Sequence, residues 1–420
     1  MDASASLDAA KDVLRTFGIV LAGGTVGGVI AKHARVPDVA IYLLVGILLG
    51  PEVMHAIDIG AGSSLNQVVL IFGACYILFD GGASLRFAVL RDVWLTIVII
   101  STLGVLLTAA VTTAAAHWLI GLPPLIAALV GATLASTDPA TLVPIFKQIH
   151  IRDRVSQTIM SESAFNDATG AIVTFTVLAI ALGQSDISIT GSLQELLKQA
   201  TLGIVIGTVV GAAASLLLAH ERFAFLGEFG PIVTLMAVAG AYLAADRYHA
   251  SGFMAVFVFG MILGNKESFG LKMHEAEAEA MNHFVAEMAL IMRLMIFVFL
   301  GSQVNFTLMA KYWAPGIALV LVFMFVARPL TVFVCTSLDR HARWTLPEQL
   351  FMCWTRETGV IPAALAGMLV GMNAPGADIV ASITFVAILL TILIQAPTTR
   401  WLAGRLGLLA EAPNEPVESR

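Results

Sequence analysis

The sequence is poor in charged residues and in cysteine for its length. Charged residues make up only 12% of the 420 residues, whereas hydrophobic residues make up 58%. Soluble domains carry about 25% charged residues, and apolar runs here recur along almost the whole chain, which excludes a sizeable soluble domain. Cys75, Cys335 and Cys353 lack the spacing of metal ligands and are expected to fill the core. The composition indicates an all-α integral membrane protein.

Enzyme and cofactor motifs are missing as well. The chain contains no H-E-x-x-H, no G-x-S-x-G and no phosphate-cradling G-x-x-x-x-G-K. Ser161 and Ser163 flank Glu162, but no His or Lys beside them could complete a nucleophile and base pair. The N-terminus also lacks the basic region of a signal peptide, so the first hydrophobic run is expected to be retained. We therefore expect neither an enzyme nor a cofactor.

A helix needs about 20 apolar residues to cross a bilayer, and this rule places thirteen spans. They cover 14–33, 39–56, 64–85, 93–118, 122–147, 155–182, 195–219, 229–249, 251–265, 281–303, 312–338, 347–372 and 378–399. The expected organisation is one transmembrane domain over 14–405, a short N-terminal segment over 1–13 and a short disordered tail over 406–420.

The basic residues predict the orientation of these spans. With the N-terminus outside, the inner loops receive fifteen Lys and Arg and the outer loops receive five. The positive-inside rule then places the N-terminus outside and the C-terminus in the cytoplasm of a multi-pass cell (inner) membrane protein.

The fifth and twelfth spans are the most irregular. The fifth carries Thr137-Asp138-Pro139 and the twelfth carries 356–362, which begins with Arg356-Glu357-Thr358-Gly359. They lie seven spans apart and so enter the membrane from opposite sides. Interrupted helices at corresponding positions of two inverted halves indicate the binding site of a secondary transporter. The halves would be spans 1–6 and 8–13, joined by span 7, with the interrupted helices crossing.

Pro139 is the reason to expect a break in the fifth span. It has no N–H, its ring displaces the carbonyl four residues back, and it biases Asp138 away from the α region. The span should unwind near 135–139 and free main-chain carbonyls such as that of Thr137. A proline kink healed by a neighbouring Ser or Thr is the alternative, but the adjacent carboxylate favours a functional break.

The sixth span carries two polar pairs at helical spacing. Ser163 and Asp167 share one face, and Glu162 and Asn166 share another, about 100° round the helix. Asp167 falls near the bilayer midplane, where transporter sites lie. The first pair is expected to bind a cation and a proton, and the second to brace the helices.

Further charged residues within the spans are given different roles. Asp80, near the inner end of the third span, is either a site residue or an interfacial carboxylate. Arg356 is the predicted buried partner of Glu162. Arg293 and Arg328 are expected to neutralise half-helix dipoles or to snorkel.

These motifs resemble those of a known family. The residues concerned are 135–140 (Ala-Ser-Thr-Asp-Pro-Ala), 161–167 (Ser-Glu-Ser-Ala-Phe-Asn-Asp), 46–51, 252–260 and 356–362. Together they resemble the prokaryotic sodium/proton antiporters of the monovalent cation:proton antiporter-1 family, and the resemblance runs through most of the chain.

The resemblance implies a homodimer, with a dimer domain that includes the N-terminal and the seventh and eighth helices, and a six-helix core that carries the ion. It implies cation (Na⁺) and proton binding at Asp167, with Ser163, the Thr137 carbonyl and Asp138 nearby. Asn166 would bridge to the unwound helix and Glu162 would pair with Arg356. The family more often has Glu at the position of Asp80. That departure favours a water-mediated contact over direct coordination.

The expected activity is exchange of Na⁺ or Li⁺ for H⁺, one for one, by competition at Asp167 during an alternating-access movement. A K⁺/H⁺ antiporter of the same fold and a cation-coupled transporter of a small organic solute remain as alternatives. A cation channel would need a continuous pore ring, which two repeats with buried carboxylates do not suggest. The expected partners are the ions, the bilayer and a second copy of the chain, with no nucleic acid.

Overall fold

The computed structural model describes residues 3–34, 36–137, 151–184, 189–219 and 226–409, and this part of the chain is helical apart from its turns and one isolated bridge. The helices are α1 (Ala3–Ala34), α2 (Asp38–Leu49), α3 (Ser64–Ser84), α4 (Phe87–Ile120), α5 (Pro124–Thr133), α6 (Asp153–Ala181), α7 (Ile189–Ala219), α8 (Gly230–Arg247), α9 (Gly252–Gly264), α10 (Glu275–Ser302), α11 (Phe306–Leu338), α12 (Leu346–Trp354), α13 (Val360–Gly371) and α14 (Ala377–Arg405).

The predicted spans coincide with these helices. Nine of the described helices are long and apolar enough to cross a membrane, and four shorter apolar helices are α2, α5, α9 and α13. The twelfth predicted span is divided into α12 and α13, as its motif indicated. The fifth is described only as far as Thr137, so the predicted positions of Asp138 and Pro139 lie outside the described residues.

Several predicted boundaries are wrong by several residues: α1 begins at Ala3 and not at 14, α11 begins at Phe306 and not at 312, and α14 ends at Arg405 and not at 399. The second span was expected to run over 39–56, but α2 ends at Leu49. Gly50 is extended, with ψ at 177°, and Pro51 follows it. A residue before proline is disfavoured in the α region and proline offers no N–H, so the helix stops there.

The helices form two bundles, and one hydrophobic core cluster extends across both, since it includes Ala168 of α6, Leu365 of α13 and Ile388 of α14. The first bundle contains α1–α3 and α7–α10, and the second contains α4–α6 and α11–α14. In the first bundle α3 packs backbone to backbone on α9. A Cβ at Gly82 would meet the Phe257 carbonyl, and a Cβ at Gly260 would meet the Phe79 carbonyl. Glycine is required at these close approaches.

Two aromatic pairs join the bundles where α6 faces α9. The rings of Phe165 and Phe257 lie edge to face with their centroids 4.8 Å apart. Nearer the C-terminal end of α6, Phe175 stacks on Phe253 at 6.1 Å. The polar residues of α6 singled out by the sequence lie between or beside these pairs.

α11 is not a uniform helix. It contains a π-helical turn over Phe323–Ala327, after which Arg328 begins the final α-helical segment with Pro329 as its next residue. Single π turns inside α-helices recur at functional sites. This turn lies in the second bundle, next to the interrupted helices.

Candidate functional site

Two helix breaks lie against each other inside the second bundle. After α5 ends, 134–137 continue as non-helical backbone, and 355–359 are likewise non-helical between α12 and α13. The Arg356 guanidinium donates a hydrogen bond to the Ala135 carbonyl, which joins the two breaks directly. The second break is also fixed to α14, because the Thr358 N–H donates to Thr391 Oγ1 at 3.0 Å.

Asn166 connects α6 to the first break through both ends of its amide. The Thr137 N–H donates to Asn166 Oδ1 at 3.0 Å, and Asn166 Nδ2 donates to Thr137 Oγ1 at 2.7 Å. The structure therefore contains the bridge that the family resemblance implied. An unwound segment leaves backbone groups without helical partners, and a buried N–H must find one elsewhere. Asn166 supplies that partner for the Thr137 N–H.

Ser163 lies one turn earlier on α6 and contacts the same residue. Its hydroxyl donates a short hydrogen bond to the Thr137 carbonyl. This donation uses the only hydrogen of the hydroxyl and leaves its lone pairs available, while a carbonyl oxygen has a second lone pair. Ser163 and Thr137 thus present two oxygen acceptors side by side, as a hard cation requires.

Asp167 follows on the same face of α6 and is 6% exposed. The helix approaches the break closely one turn later: a Cβ on Gly170 would lie 2.9 Å from the Ser136 Cβ. A carboxylate, a hydroxyl and a freed carbonyl therefore converge where α6 crosses the end of α5.

Glu162, on the other face of α6, pairs with Arg328 and not with the predicted Arg356. Two guanidinium nitrogens of Arg328 donate to the two carboxylate oxygens, one of them at 2.9 Å. Arg328 Nε donates to the Met352 carbonyl at 2.9 Å in the last turn of α12. Arg328 is 1% exposed and Glu162 is 3% exposed, so the expectation of a snorkelling Arg328 is wrong, whereas contact with a half-helix C-terminus is observed.

Arg356 has a different set of partners. Besides the Ala135 carbonyl, it donates to Thr108 Oγ1 at 3.1 Å, and its guanidinium carbon lies 4.7 Å from the centre of the Phe323 ring. Its charge lies at the C-terminal end of α5, where the carbonyls carry partial negative charge. The sequence analysis missed Arg328 because the π turn that orients it has no strong signal; Pro329 beside a mid-span arginine was the available hint.

Asp80 lies on α3, in the other bundle, and is partly buried. Its neighbour Gly81 is in van der Waals range of α6, since a Cβ there would be 3.7 Å from the Ala164 Cβ. Among the described hydrogen bonds, none joins Asp80 to Thr137, Ser163 or Asp167. Asp80 therefore lies on the first bundle, on a helix whose neighbouring residue is in contact range of α6.

A cavity of about 1000 Å³ opens between the bundles at the C-terminal end of α6. Its wall includes Ala171, one helical turn beyond Asp167, together with Thr176 on α6 and Phe253 on α9. Five charged or titratable residues also line it: Glu195, Lys198, Tyr242, Asp246 and His249. Two residues before Asp167 on α6, the ring of Phe165 contacts that of Phe257 on α9.

Two helices interrupted at corresponding places, joined at their breaks and bordering a buried carboxylate near a cavity, define a membrane-embedded secondary transporter. The sequence profile of the family described as sodium/hydrogen exchanger, transmembrane, matches residues 18–405. The chain belongs to that family.

Individual relatives agree over nearly the full length. The probable Na⁺/H⁺ antiporter 2 of Methanocaldococcus jannaschii is 29% identical over 360 residues, which cover 84% of this chain and 83% of that protein. The K⁺/H⁺ antiporter NhaP of Alkalimonas amylolytica is 27% identical over 409 residues, covering 94% and 68%. The structure of the sodium proton antiporter MjNhaP1 from M. jannaschii at pH 8 superposes with a TM-score of 0.82 at 26% identity, covering 95% of this chain and 100% of that one.

Proposed function

We propose that the protein exchanges Na⁺, and also Li⁺, for H⁺ by competition at Asp167. The observation that carries the proposal is the convergence of Asp167, Ser163 and the Thr137 carbonyl where α6 crosses the first break. Sodium is a hard cation and needs several oxygen ligands. Asp138 would add a further carboxylate beside Thr137.

The exchange follows from the cost of buried charge. Asp167 is nearly neutral when it holds either a proton or a cation, but the empty carboxylate is charged. Moving that unpaired charge through a low dielectric is unfavourable. Only the loaded forms therefore cross between the two faces, and the ion gradients drive the cycle without a cofactor.

A one-to-one stoichiometry is supported by the partners of the neighbouring groups. Both carboxylate oxygens of Glu162 are held by guanidinium nitrogens of Arg328, so this charge already has a buried partner. Asn166 is an amide whose polar ends are both used by Thr137. Asp167 is then the alternating group, and Asp138 is expected to stay ionised beside freed N–H groups.

The proposed orientation has the N-terminus outside and the C-terminus in the cytoplasm of the inner membrane. The cavity at the C-terminal end of α6 would then open to the outside. We further propose that two copies associate through the bundle that contains α1, as the family resemblance implies. The second bundle would carry the ion past it.

Potassium is the second candidate cation, because a K⁺/H⁺ antiporter is among the relatives. The test is a proton-flux assay in proteoliposomes with Na⁺, Li⁺ and K⁺ chloride added in turn. Na⁺ and Li⁺ should each dissipate a preset pH gradient, and K⁺ should do so poorly. A response to K⁺ alone would identify K⁺, and not Na⁺, as the transported cation. No response to any of the three would overturn the proposal.

A further inference from the structure

A second cavity, of about 550 Å³, lies at the N-terminal end of α6 and has a basic wall. It is formed by the N-terminal turns of α4 and α6 and by the turn between α11 and α12. Arg91, Arg154 and His341 line it, and Asp339 is the acidic residue among the wall residues that the structure describes. Nothing in the exchange mechanism uses these residues.

Both carboxylate oxygens of Asp339 accept hydrogen bonds from neighbouring residues. Its Oδ2 accepts a 2.5 Å hydrogen bond from Thr96 Oγ1, and its Oδ1 accepts from the Ala342 N–H at 3.2 Å. Thr96 Oγ1 in turn accepts from Trp344 Nε1 at 2.9 Å. The carboxylate therefore fixes the turn against α4, and its charge is partly compensated by these donors.

Arg154 is held rigidly but without an acidic partner among the described side chains. Its guanidinium carbon lies 4.1 Å from the centre of the Trp344 ring, and one of its nitrogens donates to the Ala342 carbonyl. Its Nε is buried and has no hydrogen-bond partner in the described part of the chain. A guanidinium fixed in this way is prepared to bind an anion through its remaining N–H groups, and its planar fork suits phosphate.

The cavity also has features of the membrane interface. Trp94 lines it and is 56% exposed, and Leu338, next to Asp339, is 54% exposed. Tryptophan is enriched at the level of the lipid headgroups. Basic pockets between transmembrane helices at this level bind anionic headgroups, and an exposed leucine beside the cavity offers a surface for an acyl chain.

We propose that this cavity binds the phosphate group of an anionic phospholipid through Arg91, Arg154 and His341. The site is separate from Asp167 and does not depend on which cation is exchanged. Free phosphate has the same chemistry, so the test must distinguish the two sources.

The test uses the purified full-length chain in detergent, titrated with phosphatidylglycerol or phosphatidylcholine at equal mole fractions. Retained lipid is counted by native mass spectrometry and the melting temperature is measured in parallel. Wild type should retain phosphatidylglycerol in preference to phosphatidylcholine and melt higher with it. Arg91→Gln should weaken that binding about tenfold, because it removes a charge-assisted hydrogen bond.

The matched control is Arg340→Gln, which removes an exposed arginine from the same turn without altering the cavity wall. It should bind like wild type. Arg154→Gln is a second test, but it also removes a contact with Trp344, so Arg91→Gln decides the question. Equal losses in Arg91→Gln and Arg340→Gln would indicate general surface charge and overturn the proposal, as would equal binding of the two lipids by wild type.

Inorganic phosphate, compared with chloride at matched ionic strength, gives the final arm. If phosphate alone raises the melting temperature only weakly and does not displace phosphatidylglycerol, the lipid source is supported. If phosphate displaces the lipid and Arg91→Gln abolishes its effect, the site is a phosphate site and the lipid assignment is overturned.

Discussion

Arg328 of α11 holds both carboxylate oxygens of Glu162 on α6, and both residues are almost fully buried. The pair ties the helix that carries Asp167 to a helix of the other inverted half. Removing one partner leaves the other as a lone buried charge, which strongly destabilises the folded protein. The loss of stability in single variants therefore reports on the pair.

Glu162→Gln and Arg328→Gln should each destabilise the protein by about 3–5 kcal/mol. The double variant should lose less than the sum of the two, since it leaves no uncompensated charge. Melting temperatures of the purified proteins measure this coupling. The same cycle with Arg356→Gln in place of Arg328→Gln should show a smaller coupling, and a larger one would restore the pairing that the sequence suggested.

Asp167→Asn should abolish exchange while preserving the fold. The substitution keeps the shape of the side chain and removes the group that alternates between proton and cation. The measurement is dissipation of a pH gradient in proteoliposomes upon addition of Na⁺, with Asp58→Asn, an exposed loop substitution, as the control. Persistent Na⁺-dependent proton flux in Asp167→Asn would remove this residue from the mechanism.

Gly170→Ala should weaken cation binding by displacing the first break. Its Cβ would lie 2.9 Å from the Ser136 Cβ, and overpacking of this kind costs about 1–3 kcal/mol. The apparent affinity for Na⁺ should fall severalfold in the flux assay. Gly240→Ala is the matched control, because an added Cβ there meets no described atom of another helix within 4 Å. An unchanged affinity in Gly170→Ala would mean that the break can shift without affecting the site.

Thr176→Cys should react with a membrane-impermeant thiol reagent added from outside. Thr176 lines the large cavity, and the three native cysteines are buried, so labelling reports the new thiol. Thr108→Cys, at a fully buried position, is the control. Labelling of Thr176→Cys from the cytoplasmic side alone would reverse the proposed orientation.

Exchange should be insensitive to membrane voltage. If one charge alternates at Asp167, the cation-loaded and the protonated carrier have equal charge, and an imposed potential does no work on the cycle. Competition also predicts that the apparent cation affinity falls about tenfold per unit drop in pH once Asp167 is mostly protonated. Initial rates at an imposed diffusion potential test this. Strong acceleration by voltage would require a second titrating acid.

The sequence predicted much of this arrangement, and its errors have physical causes. Apolar length was sufficient to place the spans, and the Arg356-Glu357-Thr358-Gly359 motif marked the second break. The partner of Glu162 was wrong because pairing across helices depends on helix rotation. The π turn at Phe323–Ala327 contains one extra residue and rotates Arg328 by about 100° relative to a regular helix. Hydrophobic periodicity does not reveal such a turn.

The glycine contacts between α3 and α9 have a mechanical consequence. Carbonyls of one helix occupy the space that a side chain of the other would need, so the two backbones are in direct contact along this interface. We therefore expect the two helices to move together as one rigid unit. Asp80 lies on α3 and belongs to that unit, whereas Asp167 belongs to the opposite bundle. A movement of one bundle past the other should change the distance between these two carboxylates. A spectroscopic measurement of that distance would therefore follow the transport cycle.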